Sequence, residues 1–351
     1  MDRRTLLKLM GAASLPGAAG ISPAFADDPK QIVVMTWGGL WGDAVRKGVD
    51  AAFEQKTGDK VLQDRSSSPV ERITKLKIGL NDQKIDLVQI HDGLVPLAIK
   101  QGVLEKINPQ SPRLSNLADV SPQFKNDYWI GMIFSVLGIT YNTKLVKNPP
   151  TSFADLWRPE FKGRIVLPEI SHSIGSYIIP IGAIAQGKSP KDEEVGFEQL
   201  KRMVDLQPIF AKDTDSIMNA FRNEEAVIGL LYKSQTYTVK GWGTPVDWVY
   251  PKEGGITYLS GTGIAKGSKH LELAETYLNL TIDPKVQPIY TKTFSYTGTN
   301  KHTIDNLPPD LQERARFTDD QLKRLIPLDH EFMSDRRAAW TQRWNRVVAG
   351  G

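Results

Sequence analysis

The 351-residue chain contains no cysteine. That excludes disulfides, iron–sulfur clusters and thiolate metal sites. It has little net charge of either sign. The whole chain carries +4, and three of the basic residues and one acidic residue lie within the first 26, so residues 27–351 carry +2. A nucleic-acid partner wants a dense basic face, and this balance argues against one. Long apolar runs are also missing. The longest, around 174–185, is broken by Gly175, Pro180 and Gly182, so nothing after the leader reads as a membrane span. There is no P-loop, no GxSxG elbow and no HExxH pair, and so no sequence support for catalysis. The five histidines, His91, His172, His270, His302 and His330, have no metal-ligand spacing and read as scattered surface residues. No internal repeat or low-complexity linker is visible.

The first 26 residues stand apart. "MDRRTLLKLMGAASLPGAAGISPAFA" runs from a basic start through a modest apolar stretch to Ala24-Phe25-Ala26. That is the order of an export signal. Arg3-Arg4-Thr5-Leu6-Leu7-Lys8 resembles the twin-arginine type. Removal after Ala26 leaves a soluble protein on the far side of the cytoplasmic membrane, with residues enough for two domains.

The remainder alternates strand and helix. "QIVVMTWGG" reads as a strand and turn, followed by a helix over about 41–56. Ala44, Val45, Gly48, Val49, Ala52 and Phe53 form its buried face, and Gly58 stops it. "DKVLQDRS" is a second strand. Ser68-Pro69-Val70-Glu71 caps a helix striped by Val70, Ile73, Leu76 and Leu80, and "IDLVQI" is a third strand ending at His91-Asp92. The middle repeats the style, with "RIVLP", a helix from about Ser173, two amphipathic helices, "VIGLLY" and "VDWVYP". A helix over about 269–282 carries Leu271, Ala274, Tyr277 and Leu278 on one face, and the C-terminal part is helical. Short links between alternating elements predict an α/β fold with parallel sheet covered on both faces. The absence of a flexible linker predicts two lobes between which the chain crosses more than once.

Residues 251–263, "PKEGGITYLSGTG", predict an apolar strand ending in Ser260, Gly261, Thr262 and Gly263. Strand ends of this kind line ligand clefts, and glycine admits a ligand or another backbone. With Gly267 the spacing is GxGxxxG. It misses the dinucleotide fingerprint, and Asp283, 20 residues on, ends a helix rather than a strand. Trp37, Tyr232 and Tyr258 each occupy a strand end. One such aromatic suits core packing equally well; three suggest an aromatic-walled cleft fit for a flat or cationic ligand.

"SFADLWRPEFKGRIVLPE" and "GTPVDWVYPKEGGITYLSG", with "TWGG…FEQKTG", "IDLVQI…QGVLEKIN" and "RNEEAVIGLLY" in order, resemble the periplasmic spermidine/putrescine-binding proteins of ABC importers over nearly all of the chain after the leader. The resemblance implies a two-lobed type II periplasmic binding protein that closes on its solute by a hinge. Lobe one would be 27–138 plus 259–307 and lobe two 139–258 plus 308–351, with crossings near 137–141 and 257–261. It implies a monomer that delivers a small solute to an inner-membrane ABC permease, a periplasmic location, no cofactor and no enzymatic activity.

The resemblance carries ligand-binding roles onto Trp37, Tyr232 and Tyr258. It departs from the family where a polyamine's amines meet carboxylates. Ser260 stands where the family places an aspartate, and its acidic pair falls at Ile170 and Ser173, with Glu169 one place off. Asp329 or His330 matches a polar residue near the C-terminal helix, and His91-Asp92 replaces a Ser/Thr-Tyr stretch. A dication taken from water needs opposite charge. The site therefore suits a smaller amine with Asp92, Glu169 or Asp329 as counter-charge. A zwitterion or organic anion, such as an amino acid derivative or aminophosphonate, is the alternative. "SHS" at 171–173 would serve an anion if it opens a helix, and serves equally as a plain cap. From a different class, an exported enzyme or metal-binding protein remains as a further reading; paired adjacent tyrosines, used by iron-binding relatives of the fold, do not occur.

Overall fold

The computed structural model describes residues 30–65 and 68–350. The export-signal reading of residues 1–26 lies outside them. Among the described residues no helix is long and apolar enough to cross a membrane.

In chain order, β1 (Gln31–Thr36) leads through Trp37 into α1 (Gly39–Val45), a wide turn at Arg46–Asp50 and α2 (Ala51–Thr57). β2 (Lys60–Arg65), α3 (Pro69–Gly79), β3 (Leu87–His91) and α4 (Val95–Lys100) follow. A long β4 (Ile130–Asn142) then carries the chain to β5 (Ile165–Pro168), α5 (Ile178–Ala185), α6 (Glu193–Val204), β6 (Ile209–Ala211), α7 (Thr214–Arg222), β7 (Ile228–Tyr232), α8 (Lys233–Gly241) and β8 (Val246–Val249). β9 (Gly255–Ile264) returns it to α9 (Leu271–Thr281), α10 (Pro288–Phe294) and β10 (Thr297–Gly298). The chain ends in α11 (Pro309–Ala315), α12 (Asp319–Lys323), β11 (Leu325–Ile326) and α13 (His330–Val348).

The central strand order is β2-β1-β3-β9-β4-β7-β5-β6. The expectation of parallel sheet holds at both ends: β2, β1 and β3 are parallel, and so are β7, β5 and β6. In the middle it is corrected, because β9 runs antiparallel to β3 and to β4, and β4 antiparallel to β7. Those two long strands lie between the two parallel ends. The buried core divides on them. One cluster holds Val34, Ile90 and Val136 with Leu259 and Tyr277; the other holds Leu137, Leu230, Ile256 and Trp344. Tyr258 packs against both.

Several local readings change. The strand at "ITYLSGTG" does not end at Ser260. It continues to Ile264, with Ser260 opposite His91 and Thr262 opposite Gln89. Gly261 is needed by another backbone, not by a ligand: a Cβ there would come within 2.1 Å of the Ile130 carbonyl oxygen. The helix expected from Ser173 begins later, as a tight turn at Gly175–Tyr177 followed by α5. "SHS" therefore caps no helix and gives an anion no N-terminus; His172 Nδ1 instead accepts from the Ile174 amide at 3.1 Å. Val70 and Leu271, read as buried, are 50% and 45% exposed because each sits in the first turn of its helix, beyond the sheet it covers. The helix stop at Gly58 is as expected, with φ 80° at the C-cap.

Candidate functional site

The candidate site lies along β9 and at the ends of β1, β3 and β7. β1 ends at Thr36, which sets Trp37 beside α1. The Trp41 ring lies 5.5 Å from the Trp37 ring at 78°, an edge contact, and 6.3 Å from Tyr296, again edge-on. Tyr296, between α10 and β10, stacks on Tyr258 at 5.9 Å and 28°. Tyr258 in turn meets Tyr232, at the end of β7, at 5.6 Å. An aromatic wall thus runs from the end of β1 to the end of β7. Tyr232 and Tyr258 are in contact, and Trp37 is joined to them at the far end of the wall. Trp41 and Tyr296, which the sequence reading did not single out, are the links between them.

Burial raises the pKa of Tyr232 and Tyr258, so both stay protonated. The Tyr232 hydroxyl is buried and has no hydrogen-bond partner among the described residues. Ser260 is fully buried, and its Oγ makes no hydrogen bond of standard geometry among the described residues. The Tyr258 hydroxyl is still near enough for Ser260 to oppose part of its burial shift.

Asp92 follows β3 directly. Its side chain keeps 24% of its surface exposed. Burial nonetheless lifts its pKa to about 7, against the stabilising N–H groups of Gly93, Leu259 and Asp92 itself. The Gly93 amide donates to Oδ1 at 3.0 Å. Asp92 lies within electrostatic reach of Tyr177, Tyr232 and Tyr258. It also lines a hollow of about 620 Å³ with Trp129, Leu259 and His330.

His330, the first residue of α13, sets Nε2 4.0 Å from Asp92 Oδ2 and its ring 6.3 Å from Tyr177. Burial lowers its pKa. His91 is pushed down to about 4, first by burial and then by His330 and Arg72. Both rings are neutral at physiological pH, so neither acts as a fixed charge. The expectation of surface histidines is corrected for His91, His330 and His172, which pack inward where the lobes and the 171–177 loop meet. Ser173 reaches this junction, lining a cavity of about 150 Å³ with His91, Tyr177, His330 and Arg337.

The other two proposed carboxylates are not gathered in. Glu169 accepts a hydrogen bond from the Ser171 hydroxyl in an exposed turn. Asp329 caps α13 through the Phe332 amide at 2.9 Å and pairs with Lys191 at 2.6 Å, which lowers its pKa. Both are satisfied locally, which leaves Asp92 as the carboxylate among the expected three that lies within electrostatic reach of the wall tyrosines.

Arg72 is the main residue missing from the sequence reading. It lies on the covered face of α3, fully buried, with its guanidinium 4.2 Å from the Trp37 ring and Nη1 donating to the Gln89 carbonyl at 2.5 Å. Burial lowers its pKa to about 10, which leaves it cationic at neutral pH. It is within electrostatic reach of both Tyr258 and His91. Among the described residues no group of three or more His, Cys, Asp or Glu side chains has the geometry to hold a metal ion.

Two sheet halves, a pair of crossing strands and an aromatic, partly charged junction define a two-lobed solute-binding protein. The chain belongs to the bacterial extracellular solute-binding protein family, whose model matches residues 48–318. It is 28% identical over 312 residues to the spermidine/putrescine-binding periplasmic protein of Escherichia coli K12, covering 86% of each chain. It is 21% identical over 350 residues to a gamma-aminobutyric acid-binding protein of Pseudomonas aeruginosa, covering 96% of each. A solved ABC transporter protein from Clostridium perfringens shares the fold, with a TM-score of 0.78 at 22% identity over 90% of this chain and 99% of that one.

Proposed function

We propose that this protein is the extracytoplasmic substrate-binding component of an ABC importer and that it closes on a small amine-bearing solute. The observation that carries this is the Asp92 carboxyl set against Tyr177, Tyr232 and Tyr258. An ammonium group is drawn to ring faces by about 0.5–2 kcal/mol per contact, and a nearby carboxylate offsets its desolvation. With Ser260 in place of an acidic residue, one half-buried carboxylate lies within electrostatic reach of the wall, which suits a single ammonium better than a long polycation. The polyamine and gamma-aminobutyrate relatives support an amine as the common feature.

In this reading lobe one comprises 27–138 plus 259–307 and lobe two 139–258 plus 308–351. The division of the buried core at Val136/Leu137 and Ile256/Leu259 supports it. Residues 1–26 direct export by the twin-arginine route to the periplasm, where the monomer docks on its permease.

Titration calorimetry on residues 27–351 against putrescine, 4-aminobutyrate and related amines tests the function. Tyr258→Ala and Tyr232→Ala should each weaken binding in protein that still melts cooperatively. Unchanged affinity in both would move the site elsewhere.

A further inference from the structure

The lobe-one end of the cleft has an orientation of its own. Gln89 Oε1 accepts from the Thr36 hydroxyl at 2.6 Å and from Trp41 Nε1 at 3.0 Å. An indole N–H only donates, so the amide cannot be turned around. Gln89 Nε2 is then fixed on the other side, in a fully buried residue, with no acceptor among the described residues. On the same face of the sheet, Thr262 lies opposite Gln89 and Ser260 opposite His91. Both hydroxyls are fully buried, and neither has a partner of standard geometry among the described residues. The Arg72 guanidinium closes the group from α3, between Trp37 and the Gln89 carbonyl. Asp64 lies within electrostatic reach of Arg72.

We propose that Arg72, Gln89 and Ser260 form an oxyanion pole that receives the carboxylate of a zwitterionic solute whose ammonium lies at Asp92. The proposal rests on the amine reading above and narrows it from amines in general to ω-amino acids. Arg72 and the Gln89 amide nitrogen are pure donors, and the two hydroxyls donate as readily as they accept. An ammonium group also carries only donors, so a diamine would set its second cation against Arg72. A carboxylate satisfies the same set. Asp92 follows the last residue of β3, three residues beyond Gln89, a span of roughly 10 Å at about 3.3 Å per residue. A short chain carrying opposite charges at its two ends fits between them.

The test compares matched pairs by calorimetry on residues 27–351. The ω-amino acids of three to six carbons (3-aminopropionate to 6-aminohexanoate) are each set against the diamine of the same carbon number. At the preferred length the amino acid should bind at least tenfold tighter than its diamine. Ser260→Asp and Gln89→Glu supply an acceptor in place of a donor, and both should reverse that ratio. A ratio of affinities is read only from folded, binding-competent protein, so partial loss of stability does not imitate the effect. Diamines binding as well as or better than amino acids in the unaltered protein overturn the pole and leave the amine reading standing. A ratio that neither variant moves also overturns it. If no member of either series binds, the amine reading falls and takes the pole with it.

Discussion

The wall built from β1, α3, β3 and β9 carries Arg72, His91 and Asp92, whereas the wall built from β7 and the 171–177 loop carries Tyr232, Tyr177 and Ser173. In the first, the charge of Arg72 is held from α3, and buried donors without a partner among the described residues sit on strands whose register is set on both sides. In the second, the groups facing the cleft are rings and hydroxyls. On the function proposed above, the difference gives the two lobes different work. Charge recognition falls to lobe one. Lobe two supplies apolar cover and a few hydroxyls, and it strengthens the electrostatics by excluding water. Variants in the first wall should therefore change which solute binds, and variants in the second should change how tightly it is held.

The largest effect should come from Asp92→Asn. Removing one member of a desolvated charge pair costs roughly 2–5 kcal/mol of binding, so calorimetry should show affinity for an amine falling at least about thirtyfold. A loss no greater than that from the wall-two variant described last would break the comparison.

The next effect is in pH, and its sign differs between neighbouring residues. Asp92 titrates near 7 in the folded protein, above its ordinary 3.8. Its contribution to stability is complete below 3.8 and is lost as pH rises through about 7. Asp92→Asn should therefore gain melting temperature relative to the parent above pH 7. An ammonium ligand prefers the ionised carboxylate, so affinity should climb by up to about tenfold per pH unit between 5 and 7 and then level off. Asp92→Asn should remove that slope. His91 is the mirror case. Its folded pKa of about 4 lies below the ordinary 6.5, so its contribution is present above 6.5 and is lost as pH falls toward 4. His91→Gln should gain stability relative to the parent below pH 6. Thermal melts of the three proteins at pH 5, 6.5 and 8 separate these signs.

How far the sequence reached follows the same division. Trp37, Tyr232, Tyr258 and Asp92 were legible because each lies on or beside a strand whose apolar run announces it. β4 was not recognised as a strand. Twelve of its thirteen residues are buried, so it has no alternating pattern, and Gly131 and Gly138 interrupt its β-formers. Arg72 was overlooked because a charged side chain on an amphipathic helix ordinarily faces water. Its phase was the available signal: it falls on the stripe of Ile73 and Leu76, where a charge needs a reason. Tyr177 was hidden at the head of the apolar run that becomes α5, and Tyr296 in a turn after α10. Asp329 was misread for the opposite reason. Its place in the chain matched a site position, while its chemistry, an acid three residues before a helical amide, marked a cap.

The smallest effect is the sharpest test of wall two. Tyr232→Phe keeps the ring against Tyr258 and removes only a hydroxyl that is buried without a partner among the described residues. A buried hydroxyl left unmatched destabilises the protein that holds it. The ligand-free melting temperature should therefore stay the same or rise. If the hydroxyl meets the solute, affinity should fall by about 0.5–1.5 kcal/mol, a factor of roughly 2 to 13, with the order of preference among solutes unchanged. A change in that order would place recognition in lobe two as well and dissolve the division of work. A drop in ligand-free stability would mean that the hydroxyl serves the fold, leaving the ring face of Tyr232 as the part that meets the ligand.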